Sequence, residues 1–217
     1  MNLATKYRPK TFDEVVGQLP VVAVLKAMIR KDALEQALLF TGPSGVGKTS
    51  MARIIAAELN PESAEDVHNG THPYVLEIDA ASNGSVDDIR SLKRSLHYIA
   101  QGHYVVIIDE AHAMSDEAKT ALLQMLEFPP PNVTFILLTT EAHRILKAIR
   151  HRCDKYVFVK ASSTDIINRL QHVVEAEGIE IEQDLLNLIS QRSEGSYRES
   201  LMILRQIWMG GIISDSR

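Results

Sequence analysis

The chain has 217 residues, of which 45% are hydrophobic and 24% charged, and its formal net charge is -5. This composition is typical of a folded protein with one large domain, or a large and a small one, and it argues against disorder and against a uniformly basic nucleic-acid-binding surface. The single cysteine, Cys153, excludes an intramolecular disulfide and a four-cysteine zinc site, and no apolar run approaches the roughly twenty residues that span a bilayer, so we expect a cytoplasmic protein without a membrane segment.

The first forty residues predict an ordered lead-in, a helix and a strand. Pro9 favours extended backbone within the lead-in 3–18, and Gly17 allows a tight turn there. Apolar residues at helical spacing predict a helix over residues 19–30. The apolar run 37–40 predicts a buried strand.

A phosphate-loop pattern of the form GxxxxGK[ST] follows this strand. It consists of Gly42, Pro43, Ser44, Gly45, Val46, Gly47, Lys48 and Thr49, and Ser50 comes next. Backbone N–H groups around the glycines and the N-terminus of the following helix attract phosphate oxygens, Lys48 suits the β- and γ-phosphates, and the Thr49 hydroxyl suits Mg²⁺. With a strand before it and a helical pattern after it, the loop indicates a nucleoside triphosphate site rather than a glycine-rich turn that binds nothing.

The middle of the chain alternates predicted strands with predicted helices. Residues 60–73 are polar and contain proline, asparagine and glycine, which predicts a surface loop. Serine caps predict helices that begin at Ser85 and Ser115. Further strands are predicted over residues 74–79, 104–108, 133–138 and 156–159. This alternation predicts a three-layer α/β fold with a right-handed, parallel sheet.

The pattern becomes wholly helical at about residue 161, which predicts an α/β domain over 1–160 and a helical domain over 161–217. Its helices are expected over 164–177 and 183–192, and a third begins at Ser196 with capping-box spacing to Glu199.

Acidic residues at the end of a predicted strand complete a candidate catalytic site. Asp109 is suited to the Mg²⁺ shell and Glu110 to deprotonating a water, although acidic residues there could also form a solvated strand end. His112 is more typical of a hydrogen-bonding or surface residue. A hydroxyl from Thr139 or Thr140 could reach the γ-phosphate, but threonine is also common in strands.

The order of these motifs resembles the AAA+ ATPases, and within them the bacterial clamp-loader ATPases of DNA replication, with replication factor C small subunits more distant. The matching stretches are 7–9, 12–18, 42–49, 77–82, 107–112, 122–130, 137–140, 151–153 and 195–198. The resemblance implies an ATP-hydrolysing subunit of a homo- or hetero-pentamer that loads a sliding clamp onto primer-template DNA. The alternatives are another AAA+ remodeller, such as a helicase loader or recombination factor, and a nucleotide-binding assembly subunit that does not hydrolyse ATP.

The resemblance also assigns roles to particular residues. It implies that an adenine pocket is lined by Tyr7, Arg8, Pro9, Val16 and Gly17. Thr140 is implied as the first sensor of the γ-phosphate, Arg198 as the second sensor, and Arg152 as a catalytic arginine that acts on the ATP of a neighbouring subunit. His151 stands where the family has serine, and Arg150 is a rival for the same role.

The resemblance also bears on zinc binding, on a further domain of the family and on DNA contacts. The bacterial relatives carry a four-cysteine zinc module, but residues 60–73 contain no cysteine and His68 and His72 are too few to replace it, so we expect no zinc. In the family, a third domain, which is helical, follows the two described above, whereas this sequence ends at Arg217. The resemblance implies DNA contacts on the helices after the second and third strands. The candidates are Ser85, Arg90, Lys93 and Arg94, for which a solvated helix face is an equal explanation.

Overall fold

The computed structural model describes residues 2–96, 102–211 and 213–215, which form two compact units. Unit 1 comprises Met1–Val22, Pro43–Gly47 and Phe158–Arg217, and unit 2 comprises Ala23–Gly42 and Lys48–Val157. The change of unit at residue 158 lies close to the predicted boundary, while residues 1–22 and 43–47 group with the C-terminal helices. The domains 1–160 and 161–217 stay a prediction.

Unit 2 contains a five-stranded parallel sheet. Its strands are β1 Ala37–Thr41, β2 Val75–Asp79, β3 Tyr104–Asp109, β4 Val133–Thr139 and β5 Asp154–Val157, in the order β2-β3-β4-β1-β5. Every residue of β1 and β4 is buried, which explains why both strands are near-continuous apolar runs. The predicted α/β class with a parallel sheet is confirmed.

The helices of the described residues include those that the sequence predicted, together with three short ones that it did not. They are α1 Leu3–Lys6, α2 Leu19–Arg30, α3 Lys48–Leu59, α4 Ala64–Asn69, α5 Val86–Leu96, α6 Asp116–Glu127, α7 Lys147–Arg150, α8 Ser163–Glu177, α9 Gln183–Arg192 and α10 Tyr197–Met209. Short 3-10 turns occur at Phe12–Glu14, Pro61–Ser63, Ala111–Ala113 and Ala142–Arg144. No helix in these ranges is long and apolar enough to cross a membrane.

The predicted surface loop 60–73 is wrong, because the segment holds a 3-10 turn and α4. Its helix breakers stand at helix ends rather than inside a helix. Pro61 occupies the first position of the 3-10 turn, where a missing N–H costs little. Gly70 is the left-handed C-cap of α4, with φ 73°. The buried side chain of Val67 gives α4 its apolar face.

The last strand of the sheet also differs from the prediction of 156–159, since β5 begins at Asp154 and ends at Val157. Within unit 1, the Gln18 amide donates to the Val159 carbonyl at 2.7 Å and accepts from the Val159 N–H at 3.2 Å. These side-chain bonds satisfy the backbone of Val159 in place of a sheet partner.

Unit 1 is built on α8, α9 and α10, as the helical pattern predicted. Buried residues of these helices form one core with Leu3 of α1. They are Ile166, Leu170, Val173, Val174, Leu186, Ile189, Leu201 and Leu204. Helix α8 has a full capping box, in which Ser162 and Asp165 bond each other's backbone N–H groups. A short antiparallel pair, β6 Ile179–Glu180 with β7 Ser214–Asp215, was not predicted.

Candidate nucleotide-binding and catalytic site

The ends of neighbouring parallel strands bring the catalytic candidates of unit 2 to one edge of the sheet. Strand β1 pairs with β4 so that Thr41 stands beside Thr139, and β4 pairs in turn with β3. The Gly42 N–H donates to the Thr139 carbonyl at 3.2 Å, which fixes the first residue of the phosphate loop to the end of β4. This edge of an α/β sheet is where ligands bind in folds of this class.

Lys48 begins α3, and its side chain is buried. Its ammonium donates to the Gly42 carbonyl at 2.7 Å, which holds the positive charge at the start of the loop. Because the N-terminus of a helix also attracts anions, this cation is suited to the phosphates of a nucleotide.

Thr49 and Asp109 are 60 positions apart in sequence but adjacent in unit 2. The Thr49 hydroxyl donates to Asp109 Oδ2 at 2.9 Å, and Asp109 Oδ1 accepts from the Glu110 N–H at 2.9 Å. A hydroxyl and a carboxylate are ligands that Mg²⁺ takes together with phosphate oxygens and water, so the two residues fit this ion. Across the described ranges, no group of three or more His, Cys, Asp or Glu could hold a metal.

Glu110 has a left-handed backbone, with φ 48° and ψ 42°, which is uncommon for a residue with a side chain. Its Oε2 accepts from the Thr140 hydroxyl at 3.3 Å and lies 3.3 Å from His112 Nδ1. Strained backbone of this kind persists where its surroundings hold it, often at functional sites. The geometry suits a general base, and that role stays a prediction.

His112 is a hydrogen-bonding residue, one of the two roles that the sequence favoured for it. Its Nδ1 lies 3.0 Å from the Thr139 hydroxyl, and its Nε2 lies 3.1 Å from Glu141 Oε1. Glu141 was not identified from the sequence, because no local pattern connects it with a histidine 29 positions earlier.

Within unit 1, the loop residues Pro43–Gly47 lie against the start of α10. The Tyr197 N–H donates to the Gly45 carbonyl at 3.0 Å. A Cβ added to Gly45 would lie 2.1 Å from Ser196 Oγ, and Gly45 has φ 74°, so the position requires glycine on both counts. The first turn of α10, which carries Arg198, is thus attached to the phosphate loop.

A cavity of about 430 Å³ in unit 1 is lined by Pro43, Ser44 and Val46 of the loop. Its charged lining residues are Lys160, Arg192, Arg198, Glu194 and Glu199. The three cations suit phosphate oxygens. Sequence reasoning identified Arg198 but missed Lys160 and Arg192, since a cation in the last turn of a helix such as α9 is ordinary and carries no specific signal.

The five residues predicted for the adenine pocket all lie in unit 1 and are half-buried. The Tyr197 hydroxyl donates to the Val16 carbonyl at 2.7 Å, and Gly17, with φ 71°, lies close to that hydroxyl. The Tyr7 ring meets His172 edge-on at 6.2 Å, and Arg8 and Pro9 follow α1. Burial raises the pKa of Tyr7 and of Tyr197, so both phenols stay neutral at physiological pH.

Arg169 of α8 was missed by the sequence analysis. Burial lowers its pKa, while the charge of the Glu14 carboxylate acts in the opposite direction. The guanidinium nevertheless stays charged at any physiological pH. In the sequence, the only sign that Arg169 is buried was its place among the apolar residues of a predicted helix.

Arg152 lies between α7 and β5, and its side chain is 44% exposed. It forms an ion pair with Glu127 at 2.7 Å, so the structure gives it a partner at the end of α6 rather than on the phosphate loop. The Nε of its rival Arg150 is buried without a hydrogen-bond partner among the described atoms. Cys153 is buried, and burial raises the pKa of its thiol to about 12.

The DNA-contact candidates begin or lie on α5. Ser85 and Asp88 bond each other, as the capping prediction implied, and the other three side chains are exposed. Arg90 pairs with Asp87 at 3.3 Å, and Arg94 donates to Ser91 at 2.8 Å. Nucleic-acid contact by these residues stays a prediction.

Comparison with known proteins gives several related sequences. The family model "DNA polymerase III, delta subunit" matches residues 17–162. DNA polymerase III subunit tau of Bacillus subtilis is 37% identical, with 92% of this chain and 38% of the relative covered. DNA polymerase III subunit gamma of Buchnera aphidicola is 34% identical, with 93% and 60% covered. The chain thus spans less than two thirds of the length of these relatives.

Among solved structures, the Thermotoga maritima RuvB Holliday junction branch migration motor has a TM-score of 0.73 and 22% sequence identity. The similarity covers 93% of this chain and 65% of that one. A likeness at this identity shows the fold alone, and it agrees with the predicted α/β fold with a parallel sheet.

Proposed function

The chain belongs to the DNA polymerase III delta-subunit family, and from this membership and the site geometry we propose that it is an ATP-hydrolysing AAA+ subunit of a DNA sliding-clamp loader. The resemblance to clamp-loader ATPases is confirmed, because the related sequences are tau and gamma subunits of bacterial DNA polymerase III. For this chain, we propose ATP hydrolysis, action on a sliding clamp and binding of DNA.

The observation that carries the proposal is the contact between Thr49 and Asp109 at 2.9 Å, with Glu110 one residue further on. It unites the phosphate loop with the acidic strand end, two motifs that the sequence only suggested were neighbours. A binding protein that does not hydrolyse ATP needs no carboxylate in the position of Glu110. The strained backbone of Glu110 and its bond to Thr140 therefore favour turnover.

In the proposed mechanism, Lys48 neutralises charge on the β- and γ-phosphates, and Thr49 and Asp109 hold Mg²⁺. The ion supplies charge neutralisation of the phosphates when it is bound. Glu110 orients the attacking water and accepts its proton, and Thr140 hydrogen-bonds to the γ-phosphate or the water. Arg198 responds to the γ-phosphate beside the loop residues 43–47.

Arg152 completes the proposed mechanism from a neighbouring subunit. An arginine supplied in trans accelerates phosphoryl transfer by about 10³ to 10⁵. Hydrolysis then depends on assembly with other clamp-loader subunits in the cytoplasm. ATP binding closes the subunits around the sliding clamp and primer-template DNA, and hydrolysis releases both.

The central experiment measures ATP turnover of the assembled protein with and without a sliding clamp and primed DNA. We expect stimulation by both together, and Glu110→Gln should lower turnover by about 10² to 10⁴ while ATP still binds. Glu117→Gln is the matched control, because Glu117 is exposed in the first turn of α6. Turnover that survives Glu110→Gln would refute the assignment of the base.

A second experiment tests the neighbouring-subunit arginine. Arg152→Ala should abolish stimulated turnover in the assembly and leave ATP binding by the isolated chain unchanged. Arg30→Ala, which changes an arginine at the end of α2, is the control. Full turnover by a demonstrated monomer that carries Arg152→Ala would contradict the mechanism.

A further inference from the structure

His112 bridges three polar side chains near Glu110 in unit 2, although the sequence assigned it no function. Its side chain is 11% exposed and lies between two carboxylates. Nδ1 is 3.3 Å from Glu110 Oε2 and 3.0 Å from the Thr139 hydroxyl, and Nε2 is 3.1 Å from Glu141 Oε1. Both ring nitrogens are therefore engaged on opposite sides.

These contacts connect the ends of two strands. His112 lies in the 3-10 turn that follows β3, whereas Thr139 and Glu141 stand at the end of β4 and just beyond it. Thr139 is fully buried, and its hydroxyl accepts from the Glu141 N–H at 3.0 Å, so the imidazole is anchored to rigid structure on the β4 side. The histidine thereby fixes the distance between Glu110 and the end of β4.

Glu110 needs such support, because much of its carboxylate side chain is open to solvent. The residue is left-handed, and its side chain is 36% exposed. A carboxylate with this much exposure samples several rotamers unless neighbours hold it. His112 on one side and the Thr140 hydroxyl on the other contact the same oxygen, Oε2. Both contacts are made to Oε2, so Oε1 is the oxygen that they leave available to a water.

We propose that His112 is a positioning residue that holds Glu110 in the orientation required to deprotonate water. The inference rests on the proposed function, in which Glu110 is the general base. His112 acts through Nδ1 on Glu110, and Glu141 fixes the imidazole through Nε2. A displacement of about 1 Å in a reacting group can lower a rate by about 100-fold, so removal of the imidazole should be visible in turnover.

The test is a set of substitutions at position 112, with turnover and ATP affinity measured in the assembled clamp loader. His112→Ala should lower turnover by about 10- to 100-fold and change ATP affinity little, because the loop and Lys48 are untouched. The asparagine amide reaches the position of Nδ1, and the glutamine amide reaches that of Nε2. We therefore expect His112→Asn to retain more turnover than His112→Gln.

A double-mutant cycle separates positioning from a general structural role. In single-turnover measurements, His112→Ala should cost much less when Glu110→Gln is already present, because the group it positions is gone. His143→Ala is the control, since His143 is 79% exposed and lies 3.9 Å from Glu141 Oε2. Its turnover should match that of the unmodified protein.

The outcomes distinguish this inference from the proposed function. Unchanged turnover in His112→Ala, with turnover abolished in Glu110→Gln, overturns the positioning role alone. Equal decreases from His112→Ala with and without Glu110→Gln, or better rescue by glutamine than by asparagine, also overturn it. Turnover that is unaffected by Glu110→Gln instead refutes the proposed base, whatever happens at position 112.

Discussion

Replacing Gly45 by alanine tests the attachment of the phosphate loop to α10 within unit 1. A left-handed backbone costs a residue with a Cβ about 1 kcal/mol relative to glycine. At Gly45 the new Cβ would also lie 2.1 Å from Ser196 Oγ, which must move. That oxygen accepts from the Glu199 N–H as the N-cap of α10, and removal of such a cap costs about 1 kcal/mol. The expected total is about 2 kcal/mol.

Gly70 provides a matched control, because it has φ 73° against 74° at Gly45 and nothing within 4 Å of an added Cβ. Gly70→Ala should therefore lower the stability only by the cost of a left-handed backbone, about 1 kcal/mol. Thermal unfolding of the nucleotide-free chain should give Gly45→Ala a further decrease in Tm of about 2 to 4 °C relative to Gly70→Ala. In a Ser196→Ala background, where the cap is already absent, the difference between the two alanine substitutions should shrink, and what remains reflects the Cβ atoms of residues 196 and 198 at 3.2 Å from the added Cβ. Equal decreases at Gly45 and Gly70 with Ser196 intact would refute the reasoning.

The remaining predictions concern the metal, the DNA and the thiol. Thr49→Ala removes a proposed Mg²⁺ ligand, so the apparent Mg²⁺ affinity in the ATPase assay should fall by at least about 10-fold. If α5 contacts DNA phosphates, removing the charges of Arg90, Lys93 and Arg94 should weaken binding alike for all DNA sequences. The slope of log affinity against log salt concentration should become less negative by about 0.9 for each phosphate that is no longer neutralised. Because burial raises the pKa of the Cys153 thiol to about 12, native protein at neutral pH should resist alkylation, which mass spectrometry should detect only after unfolding.

Each of these measurements has a control and an outcome that contradicts it. Thr49→Ser keeps the hydroxyl and should keep the Mg²⁺ affinity, so an equal decrease in both variants argues against a ligand role. Lys31→Gln removes an exposed charge just beyond α2, and it should leave the salt slope unchanged. An unchanged slope after the α5 substitutions refutes DNA contact there. Rapid alkylation of the native thiol would contradict the burial of Cys153.

Local spacing was sufficient to predict most of the sheet and the phosphate loop. The bounds of α2 and α9 agree with the predicted 19–30 and 183–192, because their apolar residues recur at helical spacing and their ends carry ordinary stop signals. The predicted loop 60–73 failed because Pro61 and Gly70 were read as breakers within one segment, when they mark the ends of two short helices. A single sequence does not distinguish these two arrangements.

The contacts that organise the site could not be predicted, because they depend on the order and register of the strands. The Thr140–Glu110 bond joins residues 30 positions apart, and it exists because β4 lies beside β3 with Ile108 opposite Leu137. Sequence reasoning identified both residues separately as catalytic candidates. It missed Glu141 and gave His112 only a hydrogen-bonding or surface role, since a histidine and a glutamate carry no signal of their pairing.

The ion pair between Arg152 and Glu127 is consistent with an arginine that changes partners. Both side chains are substantially exposed, at 44% and 35%, and exposed ion pairs contribute about 0 to 1 kcal/mol. An arginine in trans accelerates phosphoryl transfer by a factor of about 10³ to 10⁵, which corresponds to a barrier lower by about 4 to 7 kcal/mol. The free energy gained by stabilising the transition state is therefore several times larger than the free energy lost when Arg152 leaves Glu127. In the proposed mechanism, Glu127 would hold Arg152 in the separate chain and release it on assembly, because a nucleotide on the neighbouring subunit would offer the guanidinium a more highly charged partner.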